Sequence, residues 1–434
     1  KSSAASDVYK RQIEQRPRYG GELGLDAIRI LLEELDHPER SLSFIHIAGT
    51  NGKGSVLSHI STVLTYGGYR VGRYLSPTLY SYRERFQVNG SYISREDFVR
   101  LVCVLKEGVE RMEAKGIQAP TPFELETVLC FLYFREQQCD YVVLECGLGG
   151  LHDATNVIPM ENKKLAVLTS VSLDHTEYLG DTLEKITLQK AGIIGPGVPM
   201  VSAPQKEEVK KTLESYCKSH GFQWKAADLS EAEVISATLE KQCFRYDGQE
   251  FTIQLAGTAQ IENAVTAYEA LQMLIKHGLD LETSQIVEGM KKTQWNGRFT
   301  KISEHPIMIV DGAHNPDAAM KLRSSIEQYF AGRRLIYING MFSDKDYETV
   351  ARITAPLAEQ IFTIAAPDND RALPPERLAD TIRQYNAHVT PCATIREAVC
   401  AAKQAAGDDG VILTFGSLSF IGELTAIAAE EESA

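Results

Sequence analysis

Nowhere does this 434-residue sequence carry an apolar run near the roughly 18 residues that cross a bilayer, and its opening residues lack the apolar core of a secretory leader. No C-x-x-C pair occurs among its eight cysteines (Cys103, Cys130, Cys139, Cys146, Cys217, Cys243, Cys392 and Cys400), so neither a zinc site nor a redox pair is expected. Scattered thiols fit a reducing, cytoplasmic setting. Positive charge is also in short supply. With 45 Lys and Arg against 58 Asp and Glu, the formal net charge is -13, which argues against nucleic acid as the main partner because phosphate backbones need a broad basic face. Any anionic ligand must be held by local groups. There is no internal repeat and no low-complexity run.

What is present is alternation. The length exceeds one ordinary core and predicts two domains, perhaps three. The opening KSSAASDVYKRQ has no hydrophobic period and joins abruptly to IEQRPRYGGELGLDAIRILLEEL, so residues 1–12 read as a foreign or processing remnant. Periodicity then predicts a helix over 25–35, a strand over 42–47, a helix over 53–66, and a strand in YRVGRYL. Helices are expected over 95–115 and 123–137. The strands YVVLEC and LAVLTSV are apolar enough for burial on both faces of a parallel sheet. A strand in VPMVSA is followed by a hairpin turning at Asp247-Gly248 and two helices between 259 and 292. The period breaks at TQWNGRFTKISEHP, which places a linker at 296–300 between a domain over 13–295 and another over 301–434. Beyond it the strands IMIVDGAHN, LIYING, IFTIAA and GVILTFGS alternate with helices as a separate α/β unit.

The chemistry concentrates in FIHIAGTNGKGSVLSHI. The layout of strand, glycine-rich turn with one lysine, and helix is that of a phosphate-binding loop, but the spacing is not G-x-x-x-x-G-K-[ST]. Ile47 stands at the first glycine position, and Gly54 separates Lys53 from Ser55. Gly49, Gly52 and Gly54 let backbone N–H groups approach an anion at a helix N-terminus. Lys53 adds a point charge, and Ser55 offers a hydroxyl to magnesium. Glu145 closes one buried strand and Asp174-His175 the next, where ligands sit in open α/β sheets. Two such strand ends near a phosphate loop suggest metal ligands, although for His175 alone a purely structural role carries about equal weight.

These segments, with Ser76-Pro77, ERFQVNG, LECGLGGLHDATNV, LDHTEYLG, KAGII, GRF and DGAHNP, stand in the order seen in folylpolyglutamate synthases and bifunctional dihydrofolate synthases, relatives of the Mur ligases. The resemblance runs from about Gly24 to Glu423. It implies an N-terminal P-loop ATPase-like domain with a mainly parallel sheet and a smaller C-terminal Rossmann-like α/β domain. It implies ATP and Mg2+ as cofactors, with the nucleotide held by Gly49, Thr50, Asn51, Gly52, Lys53, Gly54, Ser55, Asn263, Arg298, Asp311 and His314. Ser55, Ser76, Glu145, His175 and Lys190 would serve the metal, Lys190 as a carbamate. From the sequence itself, Lys190 also reads as ordinary capping of a last helical turn. Lys53, His175, Lys190 and Arg298 would carry catalysis. Against the family's usual pattern, Ala259 replaces His, Leu151 replaces Arg, and Asn296 replaces Pro.

The implied activity is ATP-dependent addition of L-glutamate to a reduced folate or to dihydropteroate through an acyl phosphate, by a cytoplasmic monomer without nucleic-acid or membrane partners. Two alternatives belong to other classes. A Mur-type ligase acting on another carboxylate would carry a further domain, for which the residues ahead of Gly49 leave no room. A non-catalytic nucleotide switch would need the loop but not Glu145, His175 and Lys190 together.

Overall fold

The computed structural model describes residues 24–367 and 370–433; the segment read as a leader lies outside them. Chain contacts divide the protein into two compact units. The first comprises residues up to Ser76, Tyr82–Ala232 and Glu262–Thr293, and the second Pro77–Ser81, Glu233–Ile261 and Gln294–Ala434. The chain thus passes between the units several times, the last time at Thr293–Gln294, where the sequence alone led to a single linker at 296–300. The excursions Pro77–Ser81 and Glu233–Ile261 carry no break in hydrophobic period that would announce them.

The first unit is built on an eight-stranded sheet: β1 (Phe44–Ala48), β2 (Val71–Tyr74), β3 (Phe86–Val88), β4 (Ser91–Tyr92), β5 (Tyr141–Glu145), β6 (Lys163–Leu168), β7 (Met200–Ser202) and β8 (Trp224–Ala226). Their order is β4-β3-β2-β5-β1-β6-β7-β8. The run β2-β5-β1-β6-β7-β8 is parallel, and β3 and β4 turn back antiparallel at one edge. Every residue of β1 is buried, as both-face coverage demands. Phe44 meets Phe131 edge to face with centroids 5.4 Å apart; burying a side chain of this size contributes about 1.5–3 kcal/mol. Because β1 lies between β5 and β6, the glycine-rich loop leaving its carboxyl end is flanked by the ends of both strands, which lead to Glu145 and the Thr169–His175 segment.

The second unit holds two sheets. One contains β9 (Glu233–Ala237), β10 (Gln242–Tyr246) and β11 (Gln249–Ile253), in the order β11-β10-β9. The expected hairpin is there, turning with Asp247 and Gly248 both at positive φ, but β9 adds a third strand. The other sheet runs β12-β13-β17-β14-β15-β16, formed by β12 (Thr300–Glu304), β13 (Ile307–Val310), β14 (Leu335–Asn339), β15 (Gln360–Thr363), β16 (Val389–Pro391) and β17 (Val411–Phe415). Only β12 is antiparallel there. The unit is thus the smaller α/β partner expected, with DGAHN forming the loop after β13 rather than extending it. No helix among the described residues is long and apolar enough to cross a membrane.

The helix Lys53–Tyr66 carries an unusual core residue. His59 is fully buried, and neither ring nitrogen has a hydrogen-bond partner among the described residues. Burial pushes its pKa down from 6.5 to about 3. The unfolded chain therefore takes up this proton first, and stability is lost as pH falls from about 6.5 toward about 3. At pH 5 the cost is about 2 kcal/mol as an upper figure. His59→Leu, which keeps the volume and removes the orphaned nitrogens, is expected to melt higher than wild type at pH 5, with the gap shrinking at pH 8. Equal gaps at both pH values in thermal melts would contradict this account.

Candidate active site

Two close approaches shape the loop after β1. Gly49 has φ +147°, and a Cβ there would lie 1.9 Å from Thr169 Oγ1; Gly52 has φ +92°, and a Cβ there would meet Asn263 Oδ1 at 2.4 Å. Side chains at either position would be strained and would collide. Gly52 is also the N-cap of the helix Lys53–Tyr66, and no side chain caps that end. The first turn, which includes the buried Gly54, contains no acidic residue. Its N–H groups and the positive end of the helix remain available to an anion.

The loop is laced to the segment after β6. Thr50 N donates to Ser170 O at 2.7 Å, and Asn51 and Ser170 form an isolated antiparallel bridge. Thr50 Oγ1 donates to Ser172 O and accepts from Ser172 N, both at 3.1 Å.

Two lysines converge on one carbonyl. Lys53 Nζ donates to Gly49 O and Thr50 O at 3.2 Å each and lies 4.0 Å from Glu145 Oε1. Lys190 Nζ, on the helix Leu183–Ala191, donates to the same Gly49 O at 3.0 Å. Lys190 is only 4% exposed. Burial first, and the neighbouring Lys53 charge second, lower its pKa from 10.5 to about 7. This is more than a helix-terminal lysine in solvent would show, so capping alone does not describe it. Glu145, 5% exposed at the end of β5, accepts from Ser76 N at 3.3 Å. Ser55 is buried, and its hydroxyl has no hydrogen-bond partner among the described residues.

His175 turns the chain at φ +51° ahead of a one-turn helix, with Nε2 3.9 Å from Asp174 Oδ1. Asp174 is near enough to Lys190 to oppose the lowering of its pKa. Asn263, on the helix Ala259–Lys276, stands over Gly52. The structure thus gathers Gly49, Thr50, Asn51, Gly52, Lys53, Ser76, Glu145, Lys190 and Asn263 through contacts in the first unit, with Ser55 two residues along the helix from Lys53.

In the second unit, Arg298, Asp311 and His314 surround Gly312. Asp311 accepts from Phe299 N at 2.7 Å and Ala313 N at 2.8 Å. Burial raises its pKa, opposed by the Arg298 charge. Arg298 Nη1 donates to Gly297 O at 3.1 Å, and His314 Nδ1 lies 2.7 Å from Gly312 O.

Asp153 has a part that sequence reasoning did not give it. Its carboxylate accepts from Leu148 N at 2.7 Å, Thr155 N at 3.0 Å and Thr155 Oγ1 at 2.5 Å. Thr155 in turn meets His46 Nε2 at 2.8 Å. This network fixes the GLGG turn, and Leu151 N then donates to Gln189 O at 2.8 Å, beside Lys190. An aspartate two residues ahead of a threonine is the one available signal, that of an Asx turn.

A parallel-sheet phosphate loop with a lysine pair and strand-end carboxylate, joined in one chain to a second α/β unit, is the layout of an ATP-dependent ligase. Residues 47–271 match the Mur ligase middle domain, and residues 297–418 match the Mur ligase glutamate ligase domain. The chain is 32% identical over 424 residues to the dihydrofolate synthase/folylpolyglutamate synthase of Bacillus subtilis, covering 95% of this chain and 96% of that one. It superposes on Mycobacterium tuberculosis folylpolyglutamate synthase complexed with ADP and AMPPCP with a TM-score of 0.87 at 28% identity, covering 100% and 99% of the two chains. It superposes on E. coli FolC in complex with DHPP and ADP with a TM-score of 0.84 at 26% identity, covering 99% and 98%. The chain belongs to the folylpolyglutamate synthase and dihydrofolate synthase family of Mur ligases, and it is an ATP-dependent ligase that forms an amide bond.

Proposed function

We propose that this ligase couples L-glutamate to the carboxylate of a reduced folate, and also to that of dihydropteroate, using ATP and Mg2+ as a cytoplasmic monomer. The observation that carries the reading is the meeting of Lys53 and Lys190 on Gly49 O, with Glu145 4.0 Å from Lys53, at an uncapped helix N-terminus whose first turn carries the unpartnered Ser55 hydroxyl. The folate and pteroate classes of substrate follow the relatives, a dihydrofolate synthase/folylpolyglutamate synthase and a FolC in complex with DHPP.

A carboxylate resists attack by an amine because its oxygen leaves poorly. Transfer of the γ-phosphoryl group forms a phosphorus–oxygen bond to the carboxylate and releases ADP. The glutamate amine then attacks the acyl carbon, the carbon–oxygen bond to phosphate breaks, and the nitrogen loses its proton. Phosphoryl transfer asks a protein for position and charge neutralisation. Lys53 and the first-turn N–H groups supply both for the terminal phosphates; the family resemblance assigns further nucleotide contacts to Asn263 in the first unit and to Arg298, Asp311 and His314 in the second.

The residues present fit magnesium. Among the described residues no three His, Cys, Asp or Glu side chains gather to hold a metal, but magnesium is commonly held by one or two carboxylates together with substrate phosphates. Glu145 and the orphaned Ser55 hydroxyl are such donors, and the family resemblance adds Ser76, His175 and Lys190, the last as a carbamate. When bound, the ion neutralises charge on the phosphate oxygens.

Incubation with ATP, magnesium, glutamate and either tetrahydrofolate or dihydropteroate, followed by mass analysis, tests the assignment. Glutamyl products are expected from both acceptors. Extension of tetrahydrofolate alone would remove the dihydrofolate synthase activity, and no glutamylation of either would overturn the substrate reading.

A further inference from the structure

We propose that Gln205 is a positioning residue for the phosphate loop, its side-chain amide serving as one residue of a strand that the backbone cannot continue. The inference rests on the reading that residues 49–55 hold the triphosphate. Parallel β6 and β7 pair regularly as far as Leu168 and Ser202, and the ladder extends one step further when Ala203 N donates to Leu168 O at 2.8 Å. The next residue, Pro204, has no N–H and cannot carry the ladder on.

Gln205 takes over with its side chain. Nε2 donates to Thr169 O at 3.0 Å, and Oε1 accepts from Val171 N at 3.1 Å. A residue in a parallel ladder donates to the carbonyl before its partner and accepts from the N–H after it. The amide therefore stands where a backbone residue opposite Ser170 would stand. Ser170 is the residue that bridges to Asn51, and its carbonyl accepts from Thr50 N.

The result is a three-part ladder in which the phosphate loop is one outer member, 169–171 the middle, and the Gln205 amide the other outer member. Thr169 is also the residue whose hydroxyl faces Gly49, and four residues beyond Ser170 the same segment reaches Asp174 and then His175. With the amide removed, Thr169 O and Val171 N lose their partners, and the middle member is held from one side only. The loop's position, and with it the aim of its N–H groups at the phosphates, depends on that second side.

The test compares three variants for ATP KM, glutamate KM and thermal midpoint. Gln205→Ala is expected to raise the KM for ATP roughly tenfold, the scale of two hydrogen bonds left unmade, with little change in the KM for glutamate. Gln205→Glu separates positioning from simple packing. Its neutral acid can accept from Val171 N and donate to Thr169 O, whereas its carboxylate turns an acceptor toward the Thr169 carbonyl. Relative to wild type at each pH, its ATP KM is expected to approach normal in acid and to climb as pH rises through the carboxyl titration.

A role confined to holding the fold predicts a lower melting point and a smaller active fraction, with unchanged KM for ATP and no such pH dependence; that result overturns the proposal. Lys53→Ala serves as the control. If it too leaves nucleotide binding intact, the phosphate-loop reading fails. If it abolishes binding while Gln205→Ala does not weaken it, only the role of Gln205 fails.

Discussion

Lys53→Ala is expected to fold normally and to lose at least about 10²–10³-fold in turnover, the scale seen when one preorganised charge is withdrawn from a site of developing negative charge. The side chain is partly buried, but its partners are two loop carbonyls and, at 4.0 Å, the Glu145 carboxylate. Water can replace it at the carbonyls, so the thermal midpoint should move little. Removing the cation also frees Lys190 from its nearest repulsive neighbour. The Lys190 pKa should then rise, lowering the fraction of neutral amine and compounding the loss. The measurement pairs phosphate release, in the presence of both acceptor and glutamate, with a melting curve. Near-normal release would remove the loop from the mechanism; collapse of the melt would make Lys53 a structural residue.

Lys190→Ala should be as severe for turnover, and it should be reparable. A lysine with a pKa of about 7 is largely a neutral amine just above neutrality. A neutral amine attacks carbon dioxide: a nitrogen–carbon bond forms, a proton departs, and a cation becomes a carboxylate. On the proposed carbamate, the alanine variant loses a carboxylate, and a short carboxylic acid added to the assay is expected to restore part of the activity by entering the vacated space. In wild type, activity in bicarbonate should rise with pH through about 7, because the ammonium form cannot react.

The stability linkage has a definite sign. The folded-state value lies below the ordinary 10.5, so the unfolded chain binds the extra proton between 10.5 and about 7, and stability falls as pH is lowered across that window. An alanine variant of undiminished activity, or a wild-type protein showing no carbamate signal in labelled bicarbonate, would refute the assignment.

The sequence revealed most where a residue's chemistry and its local period agree. FIHIA is buried throughout and reads as a central strand, and GTNGKGS reads as an anion loop because glycine spacing and the helix after it are both local facts. Glu145 could be placed at a strand end from an apolar run alone, whereas Asp174, expected at the end of the next strand, lies six residues past the end of β6 at Leu168, in the loop ahead of a one-turn helix. Three things were not legible. The low pKa of Lys190 comes from burial and from Lys53, 137 positions away in the chain, and no local pattern encodes either. The Asp153 network has a local half, the Asx turn onto Thr155, but its links to His46 on β1 and from Leu151 to the helix bearing Lys190 are tertiary. Gln205 looks like any polar residue after a strand until Pro204 and the register of β6 are considered together. The amphipathic helix Glu207–His220 and strand β9 were missed for a simpler reason: the first lies in a highly charged stretch, and the second is exposed along most of its length.

The chain's repeated crossings between its two units bear on how it can be made and how it can be dissected. During synthesis the first unit stays incomplete until Glu262–Thr293 has left the ribosome, and the second has already contributed Pro77–Ser81 nearly two hundred residues earlier. Neither can finish as an autonomous early-folding body. A fragment cut at the linker would strand the three-membered sheet β11-β10-β9 on the wrong piece. Neither unit is a contiguous stretch of chain, so dissection at any single point is expected to damage both, and the two are best expressed and handled as one piece.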